Sequence, residues 1–461
     1  MRKFIFEVLA LAGGFILAAG QAAMPVPAAG KTAEEYPQEI IMRGEILAAE
    51  GNCASCHTKP GGKDFAGGLG LRTPFGVVYS TNITPDQETG IGRWPEAAFT
   101  RALRQGIGLN GEHLYPVFPY DHFTRLSDAD THALYAYVMT RPPVKSNTPA
   151  NELSFPFSFR PAIAIWKLLF FNEGRYEPDS AHDAEWNRGA YLAEGLAHCG
   201  ACHTPRNVLG AEESTKAYDG AAVEGWYAYA INGASPAPVP WTKEAIAFYL
   251  SRGWHPDHGM ARGPMAPVVM NLATVPKSDV DAIAAYIASH APPNVKTPGE
   301  LTAESAARVK EKGAKLVSAD SLANVNKPAG TKEETGAAIY AGACAVCHQS
   351  GRPLPFGGVD LHLSTAVSGP TPANIINVTL FGLPQHPGLP SAVMPGFRAS
   401  LTDEQMTALL RYLRSAFATK QPAWQNIEEE VRNARRRRPE IWPAPPARPV
   451  VANNAQETAP W

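Results

Sequence analysis

The sequence has none of the signatures that would give it a substrate site of its own. There is no Walker loop, no dinucleotide fingerprint, no H-E-x-x-H and no hydrolase elbow. Charge of one sign is not in excess: 41 Lys and Arg face 43 Asp and Glu, for a net charge of −2, which gives no global argument for nucleic acid. Long apolar runs are scarce. Phe4 to Ala19 is mostly apolar, but it contains Glu7 and falls short of the roughly 20 residues a membrane span needs. No other stretch approaches that length. Cysteine is sparse too, with six in 461 residues.

The N-terminus carries Arg2 and Lys3, then the apolar stretch, then the small residues Gly20, Ala22 and Ala23. This pattern predicts a signal peptide or N-terminal anchor over 1–23, and so an exported chain. In an exported chain the default reading of cysteines is disulfides. Their placement argues otherwise. All six lie in three clusters, Cys53-Ala-Ser-Cys56-His57, Cys199-Gly-Ala-Cys202-His203 and Cys344-Ala-Val-Cys347-His348. C-x-x-C-H is the attachment pattern for c-type haem. Two intervening residues let both sulfurs reach the two vinyl groups of one haem, and the next residue, histidine, becomes the proximal iron ligand. A redox dithiol has no need of a trailing histidine three times over. A zinc ribbon pairs its C-x-x-C units, and three units leave one over.

The surroundings of the motifs repeat. Arg43-Gly44-Glu45-Ile46-Leu47, Arg188-Gly189-Ala190-Tyr191-Leu192 and Thr335-Gly336-Ala337-Ala338-Ile339 open short helices before the clusters. Gly/Pro-rich loops follow, drawn from 40 glycines and 42 prolines. Closing helices are predicted to start at Ser127-Asp128-Ala129-Asp130, Ser278-Asp279-Val280-Asp281 and Thr402-Asp403-Glu404-Gln405. That alignment puts Tyr135, Tyr286 and Leu410 at one equivalent position.

The arrangement resembles class I cytochrome c domains. The resemblance implies a mainly α chain of three tandem class I domains with long Gly/Pro-rich loops. The expected division is 36–143 for the first domain, 144–180 for an apolar linker, and 181–291 for the second domain. A polar linker over 292–331, a third domain over 332–418 and a basic, Pro-rich tail over 419–461 follow. The resemblance also implies a methionine as sixth iron ligand in the loop before each closing helix. Each repeat has a glycine ending a short helical segment: Gly106, Gly253 and Gly382. Twelve residues further stand Phe118, Met265 and Met394. Met265 and Met394 are the expected ligands of the second and third haems. Phenylalanine cannot ligate iron, so the first haem is five-coordinate or ligated from elsewhere. His122 is the first candidate, with Met139 and His113 as further options, and a surface histidine is the alternative reading of His122. Imidazole in place of thioether would make the first haem the most easily oxidised. Met260 and Met270 read as packing residues, and His362 and His386 as surface residues or haem-carboxylate neighbours.

More specifically, Thr73-Pro74-Phe75-Gly76, Ser80-Thr81-Asn82-Ile83-Thr84-Pro85, Thr89-Gly90-Ile91-Gly92 and His198-Cys199-Gly200-Ala201-Cys202-His203-Thr204-Pro205-Arg206 resemble the triheme cytochrome c subunits of membrane-bound bacterial dehydrogenases. The likeness runs over about residues 36–418. Members serve alcohol, gluconate-type and molybdenum-hydroxylase enzymes, the last acting on aldehydes or N-heterocycles such as nicotinate. Tyr-Pro-Val-Phe118-Pro-Tyr-Asp-His122-Phe looks most like the molybdenum-hydroxylase partners. The resemblance implies three haems c, a catalytic dehydrogenase subunit as electron donor, and membrane quinone (ubiquinone) or another cytochrome as acceptor. It implies a place on the periplasmic side of the cell membrane. A peroxidase-like haem enzyme using an open first haem, or a soluble carrier, are the competing expectations. The linker's Phe155-Pro156-Phe157 and Ile165-Trp166-Lys167-Leu168-Leu169-Phe170-Phe171 suit packing between domains, or docking on a partner or membrane interface. Arg435 to Arg438 in the tail suit solvent, anionic lipid or an acidic subunit.

Overall fold

The computed structural model describes residues 36–291, 332–349, 352, 357–383 and 393–437. The expected signal segment, the polar linker over 292–331, His386 and the chain beyond 437 lie outside the described residues.

The described chain is mainly helical and forms three helical units, each around its own apolar core. The first unit holds α1 (Gln38–Glu50), a hairpin of β1 (Gly70–Thr73) and β2 (Gly76–Tyr79), α2 (Glu96–Gln105) and α3 (Asp128–Met139). A short strand, β3 (Glu152–Leu153), pairs antiparallel with β2, and α4 (Ala162–Phe170) leads to the next unit. The second unit has α5 (Ala184–Tyr191), hairpin β4 (Gly220–Val223) and β5 (Trp226–Tyr229), α6 (Lys243–Arg252), α7 (Met265–Leu272) and α8 (Lys277–Ser289). The third has α9 (Lys332–Ile339), α10 (Ala373–Phe381), α11 (Asp403–Phe417) and α12 (Ile427–Arg436).

One helix crossing organises each unit. In α1, Ile40, Ile41, Gly44, Leu47 and Ala48 form a stripe of helical period that faces α3. At the crossing a Cβ on Gly44 would stand 2.0 Å from the Ala133 carbonyl oxygen. Gly189 has the same relation to Ala282 at 1.9 Å, and Gly336 to Ala408 at 2.2 Å. Glycine is therefore required for the backbones to touch. Around the crossings, side chains such as Leu47, Ile283 and Leu410 are fully buried. Each contributes about 1.5–3 kcal/mol.

The crossings correct the expected register. Tyr137, Tyr286 and Tyr412 pack against the three glycines, so Tyr286 is equivalent to Tyr137 rather than to Tyr135. The second closing helix begins two residues earlier than the sequence signal suggests, with Pro276 at its cap. Ser127 and Thr402 do cap their helices, Ser127 accepting from the Asp130 N–H and Thr402 forming a reciprocal capping box with Gln405. The chain after Lys420 is not a solvated tail from its start. Trp424, Ile427, Val431 and Ala434 bury into the third core.

The units adjoin closely. Leu196 of the second unit lies in the first core, and Ala49 of the first lies in the second. Asn374 and Asn377 of the third unit bond the backbone of Tyr227 and Gly225 in the second. α4 packs between units: Trp166 Nε1 donates to the Leu209 carbonyl. Lys167 is not a membrane-flanking cation. Its Nζ is folded onto the C-terminal carbonyls of α2, at Gln105 and Gly106. Ile165, Leu168 and Leu169 remain exposed on α4. Among the described residues no helix is long and apolar enough to cross a membrane.

Candidate functional site

The three motif histidines share one local geometry. His57 Nδ1 lies 2.7 Å from the Thr81 carbonyl oxygen, His203 Nδ1 2.7 Å from that of Tyr229, and His348 Nδ1 2.8 Å from that of Val359. A carbonyl only accepts, so Nδ1 carries the proton in each ring and Nε2 keeps its lone pair. Burial lowers the basicity of all three rings against the pull of those carbonyls, which holds them neutral. An outer hydrogen bond that fixes the tautomer and aims the free nitrogen is the usual support of a metal-ligating histidine. In the first two units the carbonyl comes from just beyond or at the end of a hairpin, β1–β2 or β4–β5. Nothing in the sequence pattern announces those hairpins.

All six cysteines are free of disulfides. Burial pushes the Cys56 and Cys199 thiols up to about 12, and those of Cys202 and Cys344 up to about 11. Cys53, and Glu224 and Cys202 of the second unit, lie close enough to Cys56 to add to that effect of burial. The second cysteines of the first two motifs are thus near neighbours.

Cys53, Cys56 and His57 stand on the wall of a cavity of about 2450 Å³. Its walls are largely apolar in the first unit, with Phe99, Leu103, Leu134 and Val138. It continues past Cys202 and Trp226 of the second unit to Asn377 and Phe381 of the third. Two thiols and an oriented imidazole on an apolar wall are the donor set that a covalently held haem requires. A haem bound there supplies reversible one-electron chemistry at iron.

The three glycines chosen from the sequence cap helices in left-handed or extended positive-φ geometry: Gly106 (φ 59°), Gly253 (φ 76°) and Gly382 (φ 73°). Met265 opens α7 and packs on the second core. Met394 is half-buried and pairs through its backbone with Leu383. Phe118 lines the large cavity, its ring 5.4 Å from Phe123.

His122 is neither a surface residue nor turned to the cavity wall. It is 6% exposed, with Nδ1 2.8 Å from the Glu194 carbonyl and Nε2 2.9 Å from Glu212 Oε1. Burial opposes its protonation, but the Glu212 carboxylate, with Asp121 and the Glu194 carbonyl, carries the ring up to about 9. A charged imidazolium donating from both nitrogens has no lone pair for iron. The expected ligand is instead a clasp between two units. His113 Nδ1 lies 3.1 Å from Lys167 Nζ, and Met139 is buried in the first core. Neither lines the cavity. Beyond the attachment residues, the imidazole and thioether side chains on that wall are His198 and Met270, both from the second unit. From the sequence Met270 reads as packing alone. Only long-range folding brings it to the first motif. Met260 sits half-buried on a short strand. His362 is partly buried, its Nδ1 3.0 Å from Asp360 and its ring 4.8 Å from Phe417.

Two family models match parts of the chain: "Cytochrome c" over residues 41–142 and "Cytochrome C oxidase, cbb3-type, subunit III" over 331–413. The chain is 43% identical to a nicotinate dehydrogenase subunit of Pseudomonas putida over 435 residues, 92% of this chain but 35% of that protein. It thus spans about a third of that relative's length. It is 37% identical to the fructose dehydrogenase cytochrome subunit of Gluconobacter japonicus, covering 90% of this chain and 85% of the relative. With the cytochrome c subunit of the quinone alcohol dehydrogenase of Gluconobacter oxydans it shares 34% identity, over 89% of this chain and 85% of the relative. A mainly helical chain with oriented C-x-x-C-H histidines and relatives of this extent belongs to the family of cytochrome c subunits of dehydrogenases, which transfer electrons through haem.

Proposed function

We propose that the chain holds three covalent haems c and conducts electrons from a partner dehydrogenase of molybdenum-hydroxylase type to membrane quinone or a terminal cytochrome. In this reading the three helical units are tandem class I cytochrome c domains. Cys53 and Cys56, Cys199 and Cys202, and Cys344 and Cys347 bind the haems as thioethers. His57, His203 and His348 are the proximal ligands, and Met265 and Met394 the sixth ligands of the second and third haems. The observation that carries the reading is the shared orientation of the three motif histidines, each held by Nδ1 on a backbone carbonyl.

The chain's part is to hold three irons close together and to stagger their potentials by ligand and burial. The nearness of Cys56 to Cys202 supports direct passage between the first two haems. The nicotinate dehydrogenase relative and the Phe118 version of the ligand loop favour the molybdenum-hydroxylase partner. The chain works on the periplasmic side of the membrane, with the exposed Leu168 of α4 as a candidate contact to a partner or the membrane surface; Arg435, bonded to Asp403 and the Leu401 carbonyl, serves the third unit instead.

The test is to solubilise native membranes in mild detergent, purify by haem absorbance and identify what travels with the chain. A co-purifying molybdenum-containing subunit is the expected result. A flavin or quinone-cofactor subunit would replace that partner type. A cytochrome that came away alone and soluble would overturn the subunit reading.

A second reading has one specific support: Phe118 stands where the other repeats have methionine, and His122 is engaged elsewhere. A five-coordinate first haem would suit peroxidase-like chemistry. Rapid carbon monoxide binding by one ferrous haem would favour it; no binding would leave electron transfer alone.

A further inference from the structure

The second unit contains a buried imidazole that nothing above uses. His258 is 7% exposed, and neither ring nitrogen has a hydrogen-bond partner among the described residues. Its ring stacks on Trp241, with centroids 3.6 Å apart and planes 13° from parallel. Buried polar nitrogens are nearly always partnered, so two orphans on one ring call for an acceptor that the polypeptide does not supply.

The internal repeat locates this ring. Trp94 stands twelve residues before Gly106, and Trp241 twelve before Gly253. Each precedes the cap residue of the equivalent helix, Pro95 of α2 and Thr242 of α6. Trp94 lines the cavity that holds Cys53, Cys56 and His57. Trp241 packs on the second core together with Cys199 and Met265, the attachment and ligand-loop residues of its own unit. The equivalence puts Trp241 on the wall of the second haem site, and the stacked His258 with it. His258 also lies on the loop between α6 and Met265, five residues after Gly253. The first unit has Gly111 at that step, with no side chain to offer.

We propose that His258 is a positioning residue for the second haem, its ring N–H donating to one of the haem's two carboxylates. The inference rests on attachment of a haem at Cys199 and Cys202. Burial, with His255 4.9 Å away, pushes the imidazole down to about 3, so the ring is neutral and has one N–H to give. A donor on the carboxylate draws negative charge away from the iron's surroundings, which disfavours the ferric form. The second haem is thereby held at a higher potential than its iron ligands alone would set, and Gly111 gives the first haem no equivalent donor.

The experiment compares full-length holoprotein of the wild type, His258→Phe and His258→Gln. Phenylalanine keeps the stack on Trp241 and removes the donor; glutamine keeps a donor. Each is measured for haem content, for the near-infrared sulfur-to-iron band, and for midpoint potentials by spectroelectrochemical titration. The expected result is three haems throughout, an unchanged sulfur band, one potential shifted downward in His258→Phe, and most of that shift recovered in His258→Gln. Three haems with all potentials unchanged would overturn the inference and leave the electron-transfer reading intact. A common shift of all three, or loss of the sulfur band, would overturn it in favour of a structural or ligating role. Fewer than three haems in the wild type would strike the three-haem reading instead.

Discussion

Nε2 of His122, carried by the first helical unit, lies 2.9 Å from Oε1 of Glu212 in the second. With the bond from Nδ1 to the Glu194 carbonyl, this pair fastens the two units beside their attachment motifs. Burial alone would lower the His122 pKa, but Glu212 and its neighbours lift it to about 9, above the ordinary 6.5. Such a group stabilises fully below pH 6.5, and its contribution is lost as pH rises through 9. Glu212 is shifted the other way: burial would raise it, but His122 holds it below 4.5, so its contribution is lost only in acid. Thermal melts from pH 7 to 10 should show the wild type losing stability more steeply than His122→Gln. Parallel curves would remove His122 as an ionised clasp.

Gly189→Ala should destabilise the second unit. Alanine improves helix propensity by about 1 kcal/mol. Its Cβ, however, would meet the Ala282 carbonyl at 1.9 Å, backbone that cannot yield without moving α8. Overpacking of this kind costs about 1–3 kcal/mol, and here the clash exceeds the propensity gain. Denaturant titration checks the sign; a stabilised variant would mean that the crossing is looser than described.

Glu50 is the reverse of a salt-bridge anchor. Its side chain is fully buried between units, with Oε1 3.8 Å from Arg188 Nη2, and burial, with Asp279 alongside, pushes its pKa up to about 9. A carboxyl raised from 4.5 to that level contributes most below pH 4.5 and progressively less as pH climbs to 9. Glu50→Gln should therefore be more stable than the wild type at pH 8, with little difference at pH 4.5. Equal stability at both values would show that Glu50 is ionised in the folded protein.

Phe118→Met should convert the first haem to the pattern of the other two. Methionine would then stand at the wall position now held by an aromatic ring. The expected outcome is a higher potential for one haem and loss of any carbon monoxide binding in the ferrous protein. An unchanged potential would show that position 118 does not face the iron.

Much of this was legible in the chain itself. The C-x-x-C-H clusters are local, so their chemistry can be read directly. The helix-capping role of Gly106, Gly253 and Gly382 is also local, and counting from it selects Phe118, Met265 and Met394 as the proposed ligand positions. What failed was non-local or nearly degenerate. Ser278-Asp279 imitates the cap signal of Ser127-Asp128, but the second helix is placed by Gly189 against Ala282 and so starts after Pro276. His122 meets partners 72 and 90 residues away, and no window around it announces them. The anchoring of α12 by Trp424 and Val431 was hidden behind the arginine run that follows.

The most direct test of the central claim is the intact mass of the chain purified from native membranes, compared with Cys53→Ser/Cys56→Ser, Cys199→Ser/Cys202→Ser and Cys344→Ser/Cys347→Ser variants. Three covalent haems are expected in the wild type and one fewer in each variant. A wild-type mass with fewer than three haems, or cysteines recovered as free thiols or disulfides, would contradict it.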